Sequence, residues 1–550
     1  MPAPWCWFAY HNPYAIPGLV LILSLVVIAF RLMRRHLLLS RLPRLQAGKL
    51  TLEGLTAAAH ARWPAGLVRL PGQHGVLVTD PQLARALLER GDGAVCREVE
   101  QYERYAGFLG GALVLLPQTS VEHRVLRSAL LPLFTSAATR RSHGTLVACT
   151  ERLIARMAQA AAKRGSALPI YRLVQEYTLD VTCRVFFGQE LEDRDARRLV
   201  ALFEEWLEAP PPSPPPSGPL RRAAAALGRL WRTVRRADSP RGEQRLVRVY
   251  EGILDQICAR MALLESTGPP AEPADADAAR APPARRAAPT TVLGALGSLG
   301  PLAGVEARRQ AAGLLFAGLN SASELRAMLV LLSRHPTLQE RLRSEVDELL
   351  GAGPAGRPPR YDEIAEGATR YDEISAGAAR CKDTSKGAAA EAQAPPLAPP
   401  DHPRRLDACA RLVHEALRLS PGIEHLRLRT TRTVHVEAAA TAHAPGPDGV
   451  AARRSVLPGG TRLVVSPAAL HRHPDHWPQP CDAPRPELFT PAARAARVPG
   501  CFLPFSAGAK GCPAAGFALH ESRMLLAMVV QRFELYVAEG GEGVCLTTRA

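Results

Sequence analysis

Residues Phe502–Glu521 read FLPFSAGAKGCPAAGFALHE and carry the strongest indication of the fold in this sequence. Phe505 stands before a turn rich in small residues, Cys512 follows the turn, and a helical run begins near Pro513. Small residues let the backbone approach a sulfur atom and donate amide hydrogens to it, and the N-terminus of a helix adds positive potential. The stretch therefore predicts a stabilised thiolate at Cys512 that can bind a metal ion. The alternative is a structural cysteine in a glycine-rich turn.

The stretch resembles the cysteine loop of the cytochrome P450 family. The family pattern is Phe, two residues, Gly, one residue, Arg, one residue, Cys, one residue, Gly. Phe505, Gly508 and Cys512 match it, Lys510 replaces the arginine, and Ala514 replaces the last glycine. The resemblance implies that Cys512 is the axial ligand of a haem iron, and that Phe505, Gly508 and Lys510 contact the haem. Thiolate ligation pushes electron density to the iron and favours O–O cleavage.

A second match to this family is the segment HEALRLSP, in which Glu415 and Arg418 are three residues apart. Residues at this spacing share one face of a helix. An isolated pair of this kind is more often a surface ion pair, but the family uses it to lock the core behind the haem. A further arginine usually completes the network from a Pro-Glu-Arg-Phe segment. Here that segment reads PELF with Leu488, so Arg485 or another arginine must substitute, or the network is incomplete.

The resemblance also implies cations for the haem propionates. His123 and Arg127, in VEHRVLRSALLPLF, match a helix that supplies a His or Trp and an Arg to these carboxylates. Arg429, in HLRLRTTRTVHV, matches a strand arginine with the same role. Hydrogen bonds from arginine to a carboxylate are strong and directional. The three residues are therefore predicted to bind the cofactor.

Leu314–Ser323 reads LLFAGLNSAS and resembles the family's long helix across the haem face, whose pattern is Ala-Gly-x-Asp/Glu-Thr. Ala317 and Gly318 match, and small residues there leave room for dioxygen. Asn320 replaces the acid and Ser321 replaces the threonine. A hydroxyl at Ser321 can still assist proton delivery, whereas an amide cannot carry a proton as a carboxylate does, so water must do more of the relay. The alternative is a plain helix contact lined by small residues.

The N-terminus predicts a membrane anchor. No lysine, arginine, aspartate or glutamate precedes Arg31, and Ile16–Phe30 reads IPGLVLILSLVVIAF after several aromatic residues. About 20 apolar residues cross a bilayer as a helix, and aromatic residues favour the membrane surface. Arg31, Arg34 and Arg35 follow the apolar run, the reverse of the order in a cleaved signal peptide. Residues 1–35 are therefore predicted to be a single-pass anchor that leaves the body in the cytosol; the alternative is a buried globular helix.

Composition narrows the class of protein. The formal net charge is +16, but the positive residues are spread over the chain without a recognition motif, which argues against nucleic-acid binding. The 11 cysteines lack the paired spacing of a disulfide framework or a zinc site. Helical periodicity and strand-like alternation together predict a mainly α fold with a small β region. The predicted helices are 310–335, 338–350, 406–419 and 517–533, and the predicted strands are 75–78, 426–436 and 461–465.

Three stretches of the body, residues 50–550, are predicted to be low-complexity insertions near 209–219, 267–291 and 351–403. The first is proline-rich and the second is rich in alanine and proline. The third contains a ten-residue repeat: RYDEIAEGAT from Arg360, RYDEISAGAA from Arg370 and RCKDTSKGAA from Arg380. These units are too short to form a solenoid, so the repeat is interpreted as a local duplication in a surface loop.

The family resemblance implies a cytochrome P450 fold of the microsomal eukaryotic type, with haem b as cofactor. It also implies an endoplasmic reticulum enzyme that inserts one oxygen atom from O₂ into a lipophilic substrate, with NADPH electrons delivered by a flavoprotein reductase. Two alternatives stay open, because a fold does not fix a reaction. One is an isomerase or dehydratase of the same fold that needs no reductase, and the other is a non-catalytic membrane protein that binds haem or lipid.

Overall fold

The computed structural model describes residues 15–40, 42, 66–70, 75–98, 109, 111–162, 168–208, 241–267, 289–364, 405–437, 454–538 and 543–549. The helices are α1 Ala15–Ser40, α2 Pro81–Glu89, α3 Val121–Leu130, α4 Ser136–Ala161, α5 Ile170–Phe186, α6 Asp193–Glu208, α7 Arg241–Thr267, α8 Val292–Leu296, α9 Ala303–Arg334, α10 Pro336–Leu350, α11 Tyr361–Ile364, α12 Asp407–Leu419, α13 Pro467–Leu470, α14 Pro491–Ala495 and α15 Ala515–Arg532. The strands are β1 Leu67–Arg69, β2 Val76–Val78, β3 Val95–Arg97, β4 Leu426–Thr430, β5 Val434–Glu437, β6 Arg454–Leu457, β7 Arg462–Val465, β8 Phe533–Val537 and β9 Val544–Thr548. The predicted mainly α fold with small sheets is confirmed.

The chain divides into two compact units. The first, here the β unit, comprises Met1–Arg97, Glu424–Trp477 and Val498–Phe502. Its five strands are ordered β1-β2-β7-β4-β3, with β2 and β7 parallel and the other pairs antiparallel. All three residues of β2 are buried, as expected for a short apolar strand inside a sheet. β5 and β6 form a separate antiparallel pair.

The second unit, here the helical unit, comprises Glu98–Ile423, Pro478–Arg497 and Leu503–Ala550. Helix α9 packs against α5, α7, α8 and α12, and α15 packs against α4, α10 and α12. The side chains of α15 are buried on almost every face from Phe517 onward, which is typical of a helix in the middle of a core. β8 and β9 pair antiparallel directly after α15.

Helix α1 covers most of the predicted anchor. Its apolar residues Leu25, Val26, Val27, Ile28 and Phe30 are exposed. Among the described residues, the helix that is long and apolar enough to cross a membrane is α9, which is a core helix of the helical unit. The anchor at residues 1–35 therefore stays a prediction, and residues 1–14 lie outside the described part.

The insertion predicted at 351–403 has a folded beginning. The beginning of the first repeat copy, Tyr361–Ile364, forms α11, and the Glu363 carboxylate, 1% exposed, accepts hydrogen bonds from Arg357 and Arg360. Ile364 is buried, and Arg523 of α15 donates to its carbonyl oxygen at 3.2 Å. The surface-loop interpretation is therefore wrong for these residues, because a carboxylate paired with two arginines can be buried. Residues 365–403, all of 209–219 and most of 267–291 lie outside the described residues.

Candidate active site

The cysteine loop is a tight turn held by backbone hydrogen bonds. The amide of Cys512 donates to the Phe505 carbonyl at 3.0 Å, and the amide of Gly511 donates to the Gly508 carbonyl at 2.9 Å. Gly508 has φ +70°, a left-handed conformation that glycine adopts at little cost. The match of Phe505 and Gly508 to the family pattern therefore has a backbone reason: both residues form the turn that presents the cysteine.

The Cys512 thiol is deep in the helical unit yet keeps accessible surface. Burial raises its pKa to about 11, whereas a hydrogen bond from the Ala514 amide and the charge of Arg127 act in the opposite direction. The residue is nevertheless exposed by surface area. A side chain that is both deep and accessible borders open space between the segments that surround it, and the Cys512 thiol is therefore within reach of a ligand. Ala514 supplies the amide although it replaces the family's glycine.

His123 and Arg127 lie one turn apart on the buried face of α3. His123 is 1% exposed, and neither of its ring nitrogens has a hydrogen-bond partner in the described part of the chain. Burial, aided by the charges of Lys510 and Arg127, lowers the pKa of His123 to about 4. Arg127 is also buried, and its Nε lacks a partner among the same residues. Buried donors without acceptors cost free energy, so this face of α3 is built to receive an acceptor.

Lys510 joins the cysteine loop to the segment before α3. Its Nζ donates to the carbonyl oxygens of Leu113 at 3.0 Å and of Val114 at 3.2 Å. The Leu113 amide in turn donates to Gln310 Oε1 of α9 at 2.9 Å. Lys510 was predicted to contact the cofactor; the structure shows that part of its donor capacity holds the loop in place.

A haem fits these residues. The iron of a haem binds a thiolate ligand, and its two propionate carboxylates bind cationic hydrogen-bond donors. The helical unit brings the accessible thiol of Cys512 into electrostatic range of Arg127, and Arg127 into range of His123. The unpartnered nitrogens of His123 and Arg127 are the donors that propionates require. Arg429 lies on β4 of the β unit, opposite Cys96 and Arg462 in neighbouring strands, and its propionate contact stays a prediction.

Helix α9 presents Ala317, Ser321 and Glu324 on one face, because these residues are four and three positions apart. Ala317 is exposed and the other two are half-buried. The Ser321 hydroxyl donates to the Gly318 carbonyl at 2.8 Å, and the exposed Asn320 donates from Nδ2 to the Phe316 carbonyl at 3.0 Å. Both side chains are thus turned back along the helix.

Gly318 has a packing role that the sequence did not suggest. A Cβ at this position would lie 2.5 Å from Thr182 Oγ1 on α5. The glycine therefore lets α9 approach α5 closely, and its place in the pattern is not explained by room for dioxygen alone.

Glu415 and Arg418 form a buried ion pair with 0% and 1% of their side chains exposed. Arg418 donates to both carboxylate oxygens at 2.8 and 2.7 Å, and also to the carbonyls of Cys481 and Ala483. The backbone amide of Arg485 donates to Glu415 Oε1 at 2.7 Å. Main-chain groups therefore complete the network that the family closes with a third arginine.

The position of the missing arginine is stabilised in another way. Arg497 donates to the carbonyl oxygen of Leu488, and its guanidinium lies 4.4 Å from the centre of the Phe489 ring. The side chain of Arg485 instead donates to the Gln479 carbonyl. The sequence predicted that Arg485 or another arginine would substitute, or that the network would be incomplete; it did not point to Arg497, since nothing in the local pattern links residues nine positions apart.

Two long ranges of the sequence match a known protein family. The sequence model of the cytochrome P450 family matches residues 59–241 and 406–545. The chain belongs to the cytochrome P450 family. The match does not include residues 242–405, so α9 and its oxygen-side residues rest on the resemblance and on their geometry. The family suspected from the cysteine loop is thereby confirmed.

Curated cytochromes P450 match only part of the chain. Rat cytochrome P450 3A1 is 26% identical over 233 residues, which are 42% of this chain and 34% of the relative. Rat cytochrome P450 4F5 is 29% identical over 232 residues, 42% of this chain and 33% of the relative. Mouse thromboxane-A synthase is 29% identical over 203 residues, which are 37% of this chain and 27% of the relative. The chain thus spans about a third of the length of the relatives that it matches.

Solved cytochromes P450 share the fold over most of the chain. A cytochrome P450 named CYP102L1 superposes with a TM-score of 0.62 at 17% identity, covering 92% of this chain and 99% of the other. The haem domain of cytochrome P450DA gives a TM-score of 0.61 at 17% identity, covering 92% of this chain and 97% of the other. At this identity the likeness shows the fold alone.

An open surface depression of about 420 Å³ lies elsewhere in the helical unit. It is lined by Tyr171, Glu204 and Arg326, with Leu168 and Gly543 at its side. It contains none of the residues predicted from the family pattern, and its mixed polar lining lacks the thiol, so it is not the candidate P450 site.

Proposed function

We propose that this P450 is a haem-thiolate monooxygenase that inserts one oxygen atom from O₂ into a lipophilic substrate. Its electrons would come from NADPH through a flavoprotein reductase. The observation that carries the proposal is the Cys512 thiol, which faces an internal space and receives the Ala514 amide beside buried cationic donors. Bound haem would supply oxygen activation, which thiolate ligation favours.

The protein's own residues have separable tasks in this proposal. The turn from Phe505 to Cys512 fixes the thiolate, and the Ala514 amide stabilises its charge. His123 and Arg127 would orient the cofactor through its propionates, which satisfies donors that otherwise lack partners. Ser321 would hold a proton or a water on the accessible face of α9.

The propionate role predicts a selective effect on haem binding. Arg127→Ala should weaken haem binding about 10- to 100-fold, because hydrogen bonds to charged groups contribute about 1.5–3 kcal/mol. Arg124→Ala is the matched control, since Arg124 lies on the exposed face of the same helix. Haem content per protein after purification is the measurement. Equal haem content in the Arg127 and Arg124 variants would contradict the role of Arg127.

The oxygen-side role of Ser321 predicts uncoupling. Ser321→Ala should still consume NADPH but should release hydrogen peroxide in place of product, because a positioned proton donor is worth about 10²–10⁴ in rate. Water can soften this loss. Asn320→Asp restores the family pattern and should leave coupling equal or better. The ratio of product to NADPH consumed tests both variants, and an unchanged ratio in Ser321→Ala would remove Ser321 from the mechanism.

A membrane location belongs to the same proposal. The exposed apolar side chains of α1, followed by basic residues, support a single-pass anchor in the endoplasmic reticulum membrane with the body in the cytosol. Arg35 donates to the Gly460 carbonyl at 2.7 Å within the β unit, so the basic end of α1 is tied to folded protein. Protease added to intact membranes should digest the body, whereas full protection would show the opposite orientation.

The second candidate function is an isomerase or dehydratase of the same fold that needs no reductase. Asn320 favours this function, because the family pattern has an acid at this position, whereas the Asn320 amide donates a hydrogen bond to the Phe316 carbonyl. Turnover of a hydroperoxide by wild type in the absence of reductase and NADPH would make this the better account.

A further inference from the structure

Glu324 is an acidic residue on α9 that no family pattern singled out. Burial raises the pKa of its carboxyl to about 7. The side chain is nevertheless half-exposed by surface area, so like Cys512 it is deep in the helical unit and opens onto internal space. Its carboxylate makes no hydrogen bond or ion pair with any residue that the structure describes. A carboxyl in this setting is held in the protein for a reason other than structural pairing.

The position of Glu324 places it with the proposed oxygen-side residues. It is three residues beyond Ser321 and seven beyond Ala317, so all three lie on one face of α9, and side chains at such spacing are about 5–6 Å apart at Cβ. Asn320 precedes it by one turn. The sequence signal was available: an acid on an apolar helix, one turn after the position where the family has its acid.

A glycine in the opposite segment makes room for this carboxyl. A Cβ built on Gly422 would overlap the carboxylate of Glu324. Gly422 follows α12, the helix of the buried ion pair, so the carboxyl lies between α9 and the segment after α12. Any larger residue at 422 would have to displace it.

Glu324 has two ionisable neighbours within electrostatic range. Burial and the charge of an ionised Glu324 raise the pKa of Cys512 in the cysteine loop and of Glu521 in α15, so Glu324 is the first of the three groups to lose its proton. Glu521 is itself buried, which raises its pKa to about 8, and it bonds to Tyr177. Because the pKa of Glu324 is raised, the carboxyl carries its proton below about pH 7 and is substantially ionised above it.

We propose that Glu324 is the proton-donating carboxyl of this active site, one turn along α9 from the position where Asn320 lacks an acid. This inference rests on the proposed monooxygenase function. The O–H bond of the carboxyl breaks, the Ser321 hydroxyl or a water takes the proton and passes one on, and a proton from solvent restores the acid. No electron or other reactant is needed for this relay.

The first test is a coupling measurement on the full-length holoenzyme with reductase and a substrate. Glu324→Gln keeps the size of the side chain but cannot donate the carboxyl proton, so product formation should fall about 10²-fold while NADPH consumption continues. Adding Asn320→Asp to this variant should restore coupling. Glu205→Gln, at an exposed position on α6, is the matched control and should behave as wild type. An unchanged carbon monoxide spectrum shows that the variants are folded.

The second test does not depend on turnover. The infrared difference between wild type and Glu324→Gln should show a protonated carboxyl band that disappears as the pH rises through about 7. If that band is absent, or if Glu324→Gln is as well coupled as wild type, the donor role is overturned and the monooxygenase function stands. If wild type forms no product with any reductase, the monooxygenase function fails and the donor role with it.

Discussion

Arg418→Ala is expected to destabilise the haem-binding body strongly. Among the described residues, the variant leaves the fully buried Glu415 carboxylate with the Arg485 amide as its hydrogen-bond donor. Removing one partner of a buried pair costs about 3–5 kcal/mol, because the other charge stays buried and uncompensated. Native domains are stable by only about 5–15 kcal/mol in total. Thermal unfolding and haem content are the measurements.

An exposed ion pair is the control for that loss. Arg85 and Glu89 lie one turn apart on α2 with about a third or more of each side chain exposed. Such pairs contribute about 0.3–0.5 kcal/mol, so Arg85→Ala should barely change the unfolding temperature. If Arg418→Ala lowered the unfolding temperature no more than Arg85→Ala does, the buried pair of Glu415 and Arg418 would not stabilise the fold as its burial indicates. Replacing both, as Glu415→Met with Arg418→Leu, should be milder than either single change.

Cys512→Ala is expected to abolish the thiolate-type carbon monoxide spectrum while the polypeptide is still made. Cys512 combines accessible surface with an amide donor and a nearby arginine. Cys149 and Cys183 are buried, which raises the pKa of Cys149 to about 12 and that of Cys183 still further. Neither offers an accessible thiolate.

Two further variants sharpen this result. Cys512→His should bind haem with the spectrum of an imidazole-ligated iron if the loop survives, because the ligand changes while its position does not. Cys545→Ser on β9 should keep the wild-type spectrum. A Cys512→Ala variant that retained the thiolate-type spectrum would mean that another cysteine binds the iron.

Periodicity predicted the main helices closely because their apolar residues repeat along the sequence. The predicted ranges 310–335, 338–350, 406–419 and 517–533 correspond to α9, α10, α12 and α15 with small shifts at the ends. The predicted strand 426–436 is instead two strands, β4 and β5, which belong to different sheets. The alternation of apolar and polar residues does not reveal the division into two strands, because the partner of a strand is a segment far away in the sequence.

The site was predictable where one segment carries the whole pattern. The turn around Cys512 and the pair on α12 are local, so the sequence shows them directly. The bonds from Lys510 to the carbonyls of Leu113 and Val114, and the approach of Thr182 to Gly318, join segments far apart in sequence. The acid at Glu324 is visible in the sequence one turn after Asn320, but its fit against Gly422 exists only in the folded chain.

The central claim is that Cys512 presents a thiolate to a haem iron in this P450. The most direct test is the carbon monoxide difference spectrum of the reduced full-length protein in membranes, with haem content measured on the same sample. The account predicts about one haem per chain and a thiolate-type spectrum. A haem-free protein, or a spectrum typical of an imidazole-ligated or unligated iron, would contradict it.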